Sequence, residues 1–204
     1  MIKRILAPIL LLVLLFPALA FGETNLFKNG VKDGSWVGYH KNGHLEYKGT
    51  YENGKKDGSW VWYHDNGQLS FEGTYKKGKK GGTQVRYYKN GQLGTKGTLK
   101  DGKLDGPQVS YYNNGQLMNK GIHKDGKEEG PWVYYYSSGQ LVSKGTYKNG
   151  KSEGFWVYFW NNGQLNTEGD YKNGKQEGPW VWYDKNGQLD QELSGTYKNG
   201  VKVD

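Results

Sequence analysis

The feature that most constrains this chain is a glycine that recurs every 24 residues. Further glycines lie at fixed offsets within each interval, as Gly43, Gly49 and Gly54 do in the first one. A strict period of about 20 to 50 residues indicates a repeat architecture, in which each unit packs on its neighbours. Any interpretation of function therefore has to start from the structure of the repeat. The recurring glycines are Gly34, Gly58, Gly82, Gly106, Gly130, Gly154 and Gly178.

Each repeat reads as one β-hairpin. In the copy that starts at Gly58, residues 60–63 are aromatic or β-branched and lead into Asn66-Gly67. Asn-Gly between two such runs is a strong hairpin signal, because both residues tolerate positive φ. The second run, residues 68–75, leads into another turn that contains glycine.

The predicted fold is all-β: an elongated antiparallel array of seven tandem 24-residue hairpin repeats, forming a twisted single sheet or a solenoid. The array spans residues 34–204, and residues 23–33 form an N-terminal half-repeat. The last copy carries two extra residues before Gly195. We interpret both ends as caps against edge-to-edge pairing of sheets.

The Asn-Gly turn decides which side chains share a face of the sheet. A two-residue turn would place Tyr63 opposite Ser70, whereas a three-residue turn with a glycine bulge at residues 65–67 would pair Tyr63 with Leu69. We prefer the bulged turn, because it gathers the recurrent positions on one side, which we expect to be the packed side. These positions are Val61, Tyr63, Leu69, Gly73 and Tyr75 in this copy.

The opposite face varies between copies and is the predicted binding surface. Aromatic residues dominate it in copies one, two, five, six and seven, whereas copies three and four are polar. Exposed rings suit stacking on sugars or contact with a partner's apolar groups. Alternatively, the rings cover the second face of a thin sheet and are structural. The candidate binding residues are Trp132, Tyr134, Tyr136, Trp156, Tyr158, Trp160, Trp180 and Trp182.

Three histidines form a weak candidate metal site. The bulged register places His40 opposite His44, and His64 occupies the matching place in the next copy. Imidazoles held together in this way suit Zn²⁺ or Cu²⁺. The alternative is a position that accepts any planar ring, since Tyr88 stands there in copy three. No fourth ligand is evident, so we predict no metal and no cofactor.

An acidic residue precedes the repeat glycine in six of the seven copies. One carboxylate per turn falls short of the roughly six to eight oxygens that Ca²⁺ takes. We therefore predict that these carboxylates form hydrogen bonds in the turns and pair with nearby lysines.

The sequence contains no recognisable catalytic motif. It contains no cysteine, no Gly-x-Ser-x-Gly elbow, no His-Glu-x-x-His pair and no phosphate-binding loop. Carboxylates and histidines that recur in turns lack the unique, enclosed geometry that acid–base chemistry requires. We expect a protein that is not an enzyme.

The N-terminus has a different composition. A basic start with Lys3 and Arg4 precedes an apolar run and small residues, which is the pattern of a signal peptide over residues 1–22. An uncleaved membrane anchor is the less favoured alternative. The formal charge of +8 falls to 8 − 2 = +6 without these two residues, a mild bias toward anionic surfaces. We expect a periplasmic or extracellular protein that does not bind nucleic acid.

The repeat resembles a known family. Gly-x-Trp-x-x-Tyr-x-x-Asn-Gly-x-Leu followed by Gly-Thr-Tyr-Lys-Asn-Gly-Lys is similar to the MORN repeat in its bacterial variant form. The resemblance implies hairpin repeats in an elongated antiparallel array. It also implies a binding role, such as protein–protein scaffolding or association with membrane lipid, and such bacterial chains are often described as antitoxins.

Composition and resemblance together predict a non-enzymatic scaffold for protein–protein interaction in the cell envelope. A protein partner is the expected ligand. The alternatives are a module that binds glycan or anionic phospholipid through the aromatic face and, more weakly, an antitoxin or immunity-type protein.

Overall fold

The computed structural model describes residues 24–204, so the predicted signal peptide at residues 1–22 lies outside the described residues. The regular elements are seventeen β-strands joined by turns. Within residues 24–204, no helix has the length and apolar character needed to cross a membrane. In chain order the strands are β1 (Phe27–Lys28), β2 (Val31–Lys32), β3 (Gly34–Tyr39), β4 (Leu45–Glu52), β5 (Lys55–Tyr63), β6 (Leu69–Lys76), β7 (Lys79–Tyr87), β8 (Leu93–Lys100), β9 (Lys103–Tyr111), β10 (Leu117–Lys124), β11 (Lys127–Tyr135), β12 (Leu141–Lys148), β13 (Lys151–Phe159), β14 (Leu165–Lys172), β15 (Lys175–Trp182), β16 (Gly195–Lys198) and β17 (Val201–Lys202).

Strands β3 to β17 form one antiparallel sheet of 15 strands, in which each strand pairs with its neighbours in the chain. Strands β1 and β2 form a separate two-stranded hairpin. The edge strands β3 and β17 do not pair with each other, so the sheet is open. The predicted all-β array of hairpin repeats is confirmed, and of the two predicted forms the molecule adopts the single sheet.

The first turn of each repeat is the predicted bulged turn. In copy two, the amide of His64 donates to the carbonyl of Gln68 at 2.7 Å, and Gly67 has a φ of 83°. Tyr63 therefore pairs with Leu69, as predicted. Glycine suits the last turn position because other residues rarely adopt this left-handed conformation.

The second turn of each repeat is a two-residue hairpin turn. Asn53 and Gly54 have φ values of 49° and 77°, and the flanking Glu52 and Lys55 pair directly. Positive φ at both central residues is the requirement of a type I′ turn, whose twist matches that of the strands. The two turn types alternate along the whole array.

The glycine that recurs every 24 residues lies in a bulge between neighbouring hairpins. Lys48 pairs with Val61 and Thr50 pairs with Asp57, so Gly49 alone opposes the three residues 58–60. The repeat glycine Gly58 takes up this excess with a φ of 73°. Such bulges bend a strand and increase its twist. The period of the sequence is thus the period of the bulges.

The predicted composition of the faces is wrong in part. Trp60 pairs with Gly73 and Gly58 pairs with Tyr75, so Gly73 and Tyr75 lie on the face of the tryptophans rather than with Val61. The cause is a second bulge: Tyr63 pairs with Leu69, but Trp62 pairs with residue 71, which leaves residue 70 without an opposite partner. One extra residue moves every later side chain to the other face.

We name the two faces by their most regular residues. The tryptophan face carries Trp60, Trp62, Phe71, Gly73 and Tyr75 and the equivalent residues of the other copies. The valine face carries Ser59, Val61, Tyr63, Leu69, Glu72 and Thr74 and their equivalents.

The most buried large side chains lie on the tryptophan face. Trp60, Trp156 and Trp180 are between 1% and 2% exposed. Each ring covers a second-strand glycine of the preceding copy: a Cβ on Gly145 would lie 2.1 Å from the Trp156 ring. The indole nitrogen of Trp156 also donates to the carbonyl of Thr146 at 3.1 Å. This ring-on-glycine contact is the core of each interface between repeats.

Both ends of the sheet carry extra contacts. At the N-terminal edge, the amide of Val37 donates to the side chain of Asn25 at 2.9 Å, and the Phe27 ring lies 5.3 Å from that of Trp36. At the C-terminal edge, the amide of Trp182 donates to Ser194 Oγ at 2.9 Å. Both segments occupy backbone groups that would otherwise be free to pair with another sheet.

Candidate binding surfaces

The rings predicted to form an exposed binding platform are largely inside the fold. Trp132, Trp156 and Trp180 are 3%, 2% and 1% exposed, so the expectation that these three are exposed is wrong. One side of each indole ring lies flat on a glycine of the preceding copy, and its Nε1 donates to the backbone carbonyl of the residue after that glycine. The other five candidates, Tyr134, Tyr136, Tyr158, Trp160 and Trp182, are half-buried.

Two of the half-buried rings, Tyr136 and Trp160, belong to a hydrogen-bond ladder at the hairpin tips. At this position each ring donates to the backbone carbonyl 23 residues further on, at distances between 2.8 and 3.0 Å. The ladder explains why the position accepts histidine, tyrosine or tryptophan, since all three carry a donor at the ring edge. The pairs are His40 to Tyr63, His64 to Tyr87, Tyr88 to Tyr111, Tyr112 to Tyr135, Tyr136 to Phe159 and Trp160 to Tyr183.

The three candidate metal-binding histidines do not converge on one point. His40 and His64 donate from Nε2 within the ring ladder, and His44 donates from Nδ1 to the carbonyl of Asp65 at 2.7 Å. In residues 24–204, no three His, Cys, Asp or Glu side chains are grouped so that they could hold a metal ion. The hypothesis of a trio of imidazoles is therefore wrong, and the planar-ring alternative fits the geometry.

A second hydrogen-bond ladder uses the turn asparagine, for which the sequence predicts only a role in forming the turn. Asn66 accepts a hydrogen bond from the amide of Gln68 and donates from Nδ2 to the carbonyl of Lys89 in the next copy, at 2.8 Å. The same bond between copies starts from Asn42, Asn90, Asn114 and Asn162. The recurrence of asparagine at the same turn position in most copies is the sequence signal that points to this ladder.

The acidic residues before the repeat glycines cap turns, as predicted. Asp57 Oδ1 accepts a hydrogen bond from the amide of Lys77, 20 residues further on, at 2.9 Å. Glu129 and Glu153 make the same contact with Asn149 and Asn173. The predicted pairing of these carboxylates with lysines is not seen, since the described part of the chain holds one salt bridge, Lys89 to Asp65 at 2.9 Å.

The hydroxyls of the tryptophan face bond to one another in the C-terminal copies. Tyr134 lies 3.4 Å from Tyr147, and Tyr158 lies 3.4 Å from Tyr171, between hydroxyl oxygens. Burial, followed by these hydrogen bonds, holds the pKa of Tyr134 and of Tyr158 well above the usual range. These phenols are neutral donors at any ordinary pH.

Copies three and four place polar side chains where the other copies place rings. Gln84 takes the tryptophan position and donates to the carbonyl of Thr74 at 3.2 Å, the bond that Trp60 makes to Thr50. The buried oxygens Gln108 Oε1 and Asn119 Oδ1 lack a partner. The tryptophan face is thus divided into two runs of ring contacts, Phe27–Trp36–Tyr51–Trp60–Tyr75 and His123–Trp132–Tyr147–Trp156–Tyr171–Trp180.

The valine face presents the exposed apolar surface. Tyr39, Ile122, Phe155 and Leu189 are 62%, 46%, 56% and 50% exposed. In copies three to five, an open apolar groove crosses this face, and Lys96 and Lys120 are among the residues that line it. Its lining includes Thr98, Pro107, Val109, Ile122, Pro131 and Val133.

The repeat pattern that builds both faces also identifies the family. A family model, the MORN repeat variant, matches seven successive segments at residues 32–53, 56–77, 80–101, 104–125, 128–149, 153–173 and 176–199. No curated protein matches the sequence. The matched segments cover most of the chain and follow the hairpins of the sheet copy by copy. The chain therefore belongs to the MORN repeat variant family.

Proposed function

We propose that this chain is a non-enzymatic, exported binding protein that docks a protein partner on its valine face. The observation that carries the proposal is the apolar groove of copies three to five, together with the exposed Ile122 and Phe155 on the same face. Exposed apolar surface of this kind is typical of sites of contact.

The groove indicates the chemistry of the partner. Pro107, Val109, Pro131 and Val133 offer a rigid apolar floor without hydrogen-bond donors at the two prolines. Lys96 and Lys120 also line the groove, and opposite charge on a partner would improve the rate and specificity of association there. The expected partner inserts apolar side chains into the groove and carries acidic residues beside them.

Two further parts of the proposal come from the sequence. The signal-like segment at residues 1–22 supports export. His40, His64 and the turn carboxylates, which are side chains of the kind that often serve in catalysis, are engaged in hydrogen bonds that repeat from copy to copy. This repetition supports a structural role for them and favours binding over catalysis.

The test begins with the chain from residue 23 onward as immobilised bait in an envelope extract, and the retained protein is purified for titration. We expect Ile122→Asp to weaken the purified partner's binding about tenfold or more, since an interface residue at the centre of a site carries much of the binding energy. The matched control is Val203→Asp, which places the same charge on a 60% exposed residue at the C-terminus. The control should bind as the wild type does.

Two outcomes contradict the proposal. Equal affinity for Ile122→Asp, Phe155→Asp and the wild type would move the partner to another surface. Retention of the chain on polysaccharide or anionic vesicles, with no protein bound, would favour the glycan or lipid alternative.

A further inference from the structure

The tryptophan face carries a line of positive charge at the N-terminal end of the array. A lysine occupies the same place in the half-repeat and in copies one and two, and its ammonium lies over the rings: Lys56 Nζ is 4.4 Å from the Trp60 centroid and 4.2 Å from that of Trp62. Lys32 lies 4.2 Å from the centroid of Trp36. We name four side chains the cation row: Lys32, Lys56, Lys80 and Arg86.

No salt bridge neutralises the cation row within residues 24–204. The salt bridge found in residues 24–204 is at a hairpin tip, and no carboxylate pairs with a member of the row. Burial, and then the charges of Lys80 and Lys32, lower the pKa of Lys56. Burial, and then Arg86, lower the pKa of Lys80. The folded chain therefore holds these cations close enough to repel one another, which an anion between them would relieve.

At the end that carries Lys80 and Arg86, the row borders an open hollow. Trp62, Phe71 and Tyr75 line this hollow together with Lys80 and Arg86. The hollow also includes His40 and the carboxylate of Glu46. The ammonium groups of Lys32, Lys56 and Lys80 lie over the rings, so a ligand that reaches them also contacts the aromatic surface.

The row ends abruptly. The next copies carry Leu104, Glu128, Ser152 and Gln176 at the lysine position. The row is therefore broken after Lys80, and the lysine that returns to this position in the last repeat, Lys202, donates instead to the backbone carbonyls of Gln191 and Glu192. Since one repeat adds two strands at about 4.8 Å each, successive lysines are spaced by about 9.6 Å across the strands.

This spacing selects a ligand geometry. A polyproline II chain has three residues per turn and rises about 3.1 Å per residue, so every third side chain points the same way at intervals of about 9.3 Å. We propose that the cation row binds an extended acidic segment of a protein, with carboxylates at every third residue. The site lies on the opposite face from the groove assigned to partner docking, so each proposal can fail without the other.

The probe is a synthetic peptide of four Glu-Pro-Pro units, titrated into the chain from residue 23 onward and followed by tryptophan fluorescence. The test variant is the triple substitution Lys32→Gln, Lys56→Gln and Lys80→Gln. The matched control removes three charges from exposed turn positions that neighbour the row, by Lys55→Gln, Lys79→Gln and Lys103→Gln. A triple lysine-to-arginine variant of the row keeps the charge and checks folding.

We expect the peptide to bind the wild type at about 20 mM salt and to dissociate at about 0.5 M, where charges are screened beyond a few ångströms. The row variant should lose about tenfold in affinity, whereas the control and the arginine variant should lose less than about twofold. Arg86→Gln alone should weaken binding by a smaller factor.

Several results would overturn the proposal. Equal weakening by the row variant and the turn control would show that net charge alone attracts the peptide. Binding of phosphatidylglycerol vesicles, polygalacturonate or inorganic phosphate, with no binding of the peptide, would assign the row to a different anion. Ile122→Asp serves to separate the two sites, because it should leave peptide binding unchanged.

Discussion

At the scale of single residues, the array depends on a tryptophan ring that lies flat on a glycine of the preceding copy. The contact recurs at Gly49, Gly121, Gly145 and Gly169, where any Cβ would meet the indole at less than 2.5 Å. The glycine is therefore required for space and not for backbone freedom. The repeat glycine Gly58 is different, because its φ is positive and no atom of residues 24–204 would lie within 4 Å of an added Cβ.

This distinction predicts the effect of adding one methyl group. Gly145→Ala should lower the free energy of unfolding by about 2 to 4 kcal/mol, because the Trp156 ring must leave its place and its hydrogen bond to Thr146. Gly81→Ala is the control, since no atom lies within 4 Å and its φ is ordinary. It should be neutral or slightly stabilising. Urea unfolding of the two variants measures both, and equal effects would contradict the ring-on-glycine account.

At the scale of the hairpin, the sequence predicts the first turn but not the complete register. Asp65-Asn66-Gly67 carries the chemistry of a bulged turn, and the pair Tyr63–Leu69 follows from it. The second bulge has no such signature, because the extra position holds Ser70 here and Glu46, Gly94 or Met118 in other copies. The sequence therefore could not place Gly73 and Tyr75 on the tryptophan face.

The unpredicted bulge at residue 70 also limits what the sequence predicts about the binding surface. Regular spacing correctly grouped the tryptophans on one face, but burial depends on the glycine opposite each ring. The predicted register places that glycine on the other face, so the sequence predicts that Trp132, Trp156 and Trp180 are exposed, whereas they are buried. The ring ladder and the asparagine ladder connect positions 23 residues apart, and a pattern read within one repeat does not reveal them.

The interrupted middle of the tryptophan face offers a test of how hairpins stabilise one another. Gln84 already lies over Gly73 and makes the hydrogen bond of the missing tryptophan. Gln84→Trp should therefore extend the first ring run and raise the free energy of unfolding by about 1 to 2 kcal/mol. Thr83→Trp is the control, because it adds an indole to the exposed neighbouring position on the valine face. Chemical denaturation should show a gain for Gln84→Trp alone, and a loss of stability would contradict the shared geometry.

At the scale of the whole molecule, each face of one open sheet has its own chemistry. The tryptophan face holds the repeats together and presents cations over its rings at the N-terminal end of the array. The valine face presents apolar side chains to solvent. The two proposed sites lie on opposite faces of a single-layer array, so a ligand at one would leave the other accessible, as the proposed scaffold role requires.

The phenols of both faces predict a loss of stability in alkali. Burial, and then the hydrogen bond to Glu72, raise the pKa of Tyr87 to about 12. The unfolded chain ionises this group near 10, so the folded state retains a proton that the unfolded state has lost. Stability from this group is complete below pH 10 and disappears as the pH rises to about 12.

The measurement is the urea midpoint between pH 9 and pH 11. Tyr87→Phe should show a smaller fall than the wild type, whereas Tyr39→Phe, which changes an exposed ring, should fall as the wild type does. Lys56 and Lys80 have a lowered pKa and contribute with the opposite sign, so only the difference between variants isolates the phenol. An identical fall in all three proteins would contradict the raised pKa.

The central functional claim, that a protein partner docks on the valine face, is tested most directly by photo-crosslinking in intact cells. A photoreactive phenylalanine analogue placed at Ile122 or Phe155 reports on the valine face, and the same analogue at Tyr158 or Trp182 reports on the tryptophan face. We predict one defined protein adduct from the first pair of positions and none from the second. Adducts formed only from Tyr158 or Trp182 would contradict the assignment of the docking face.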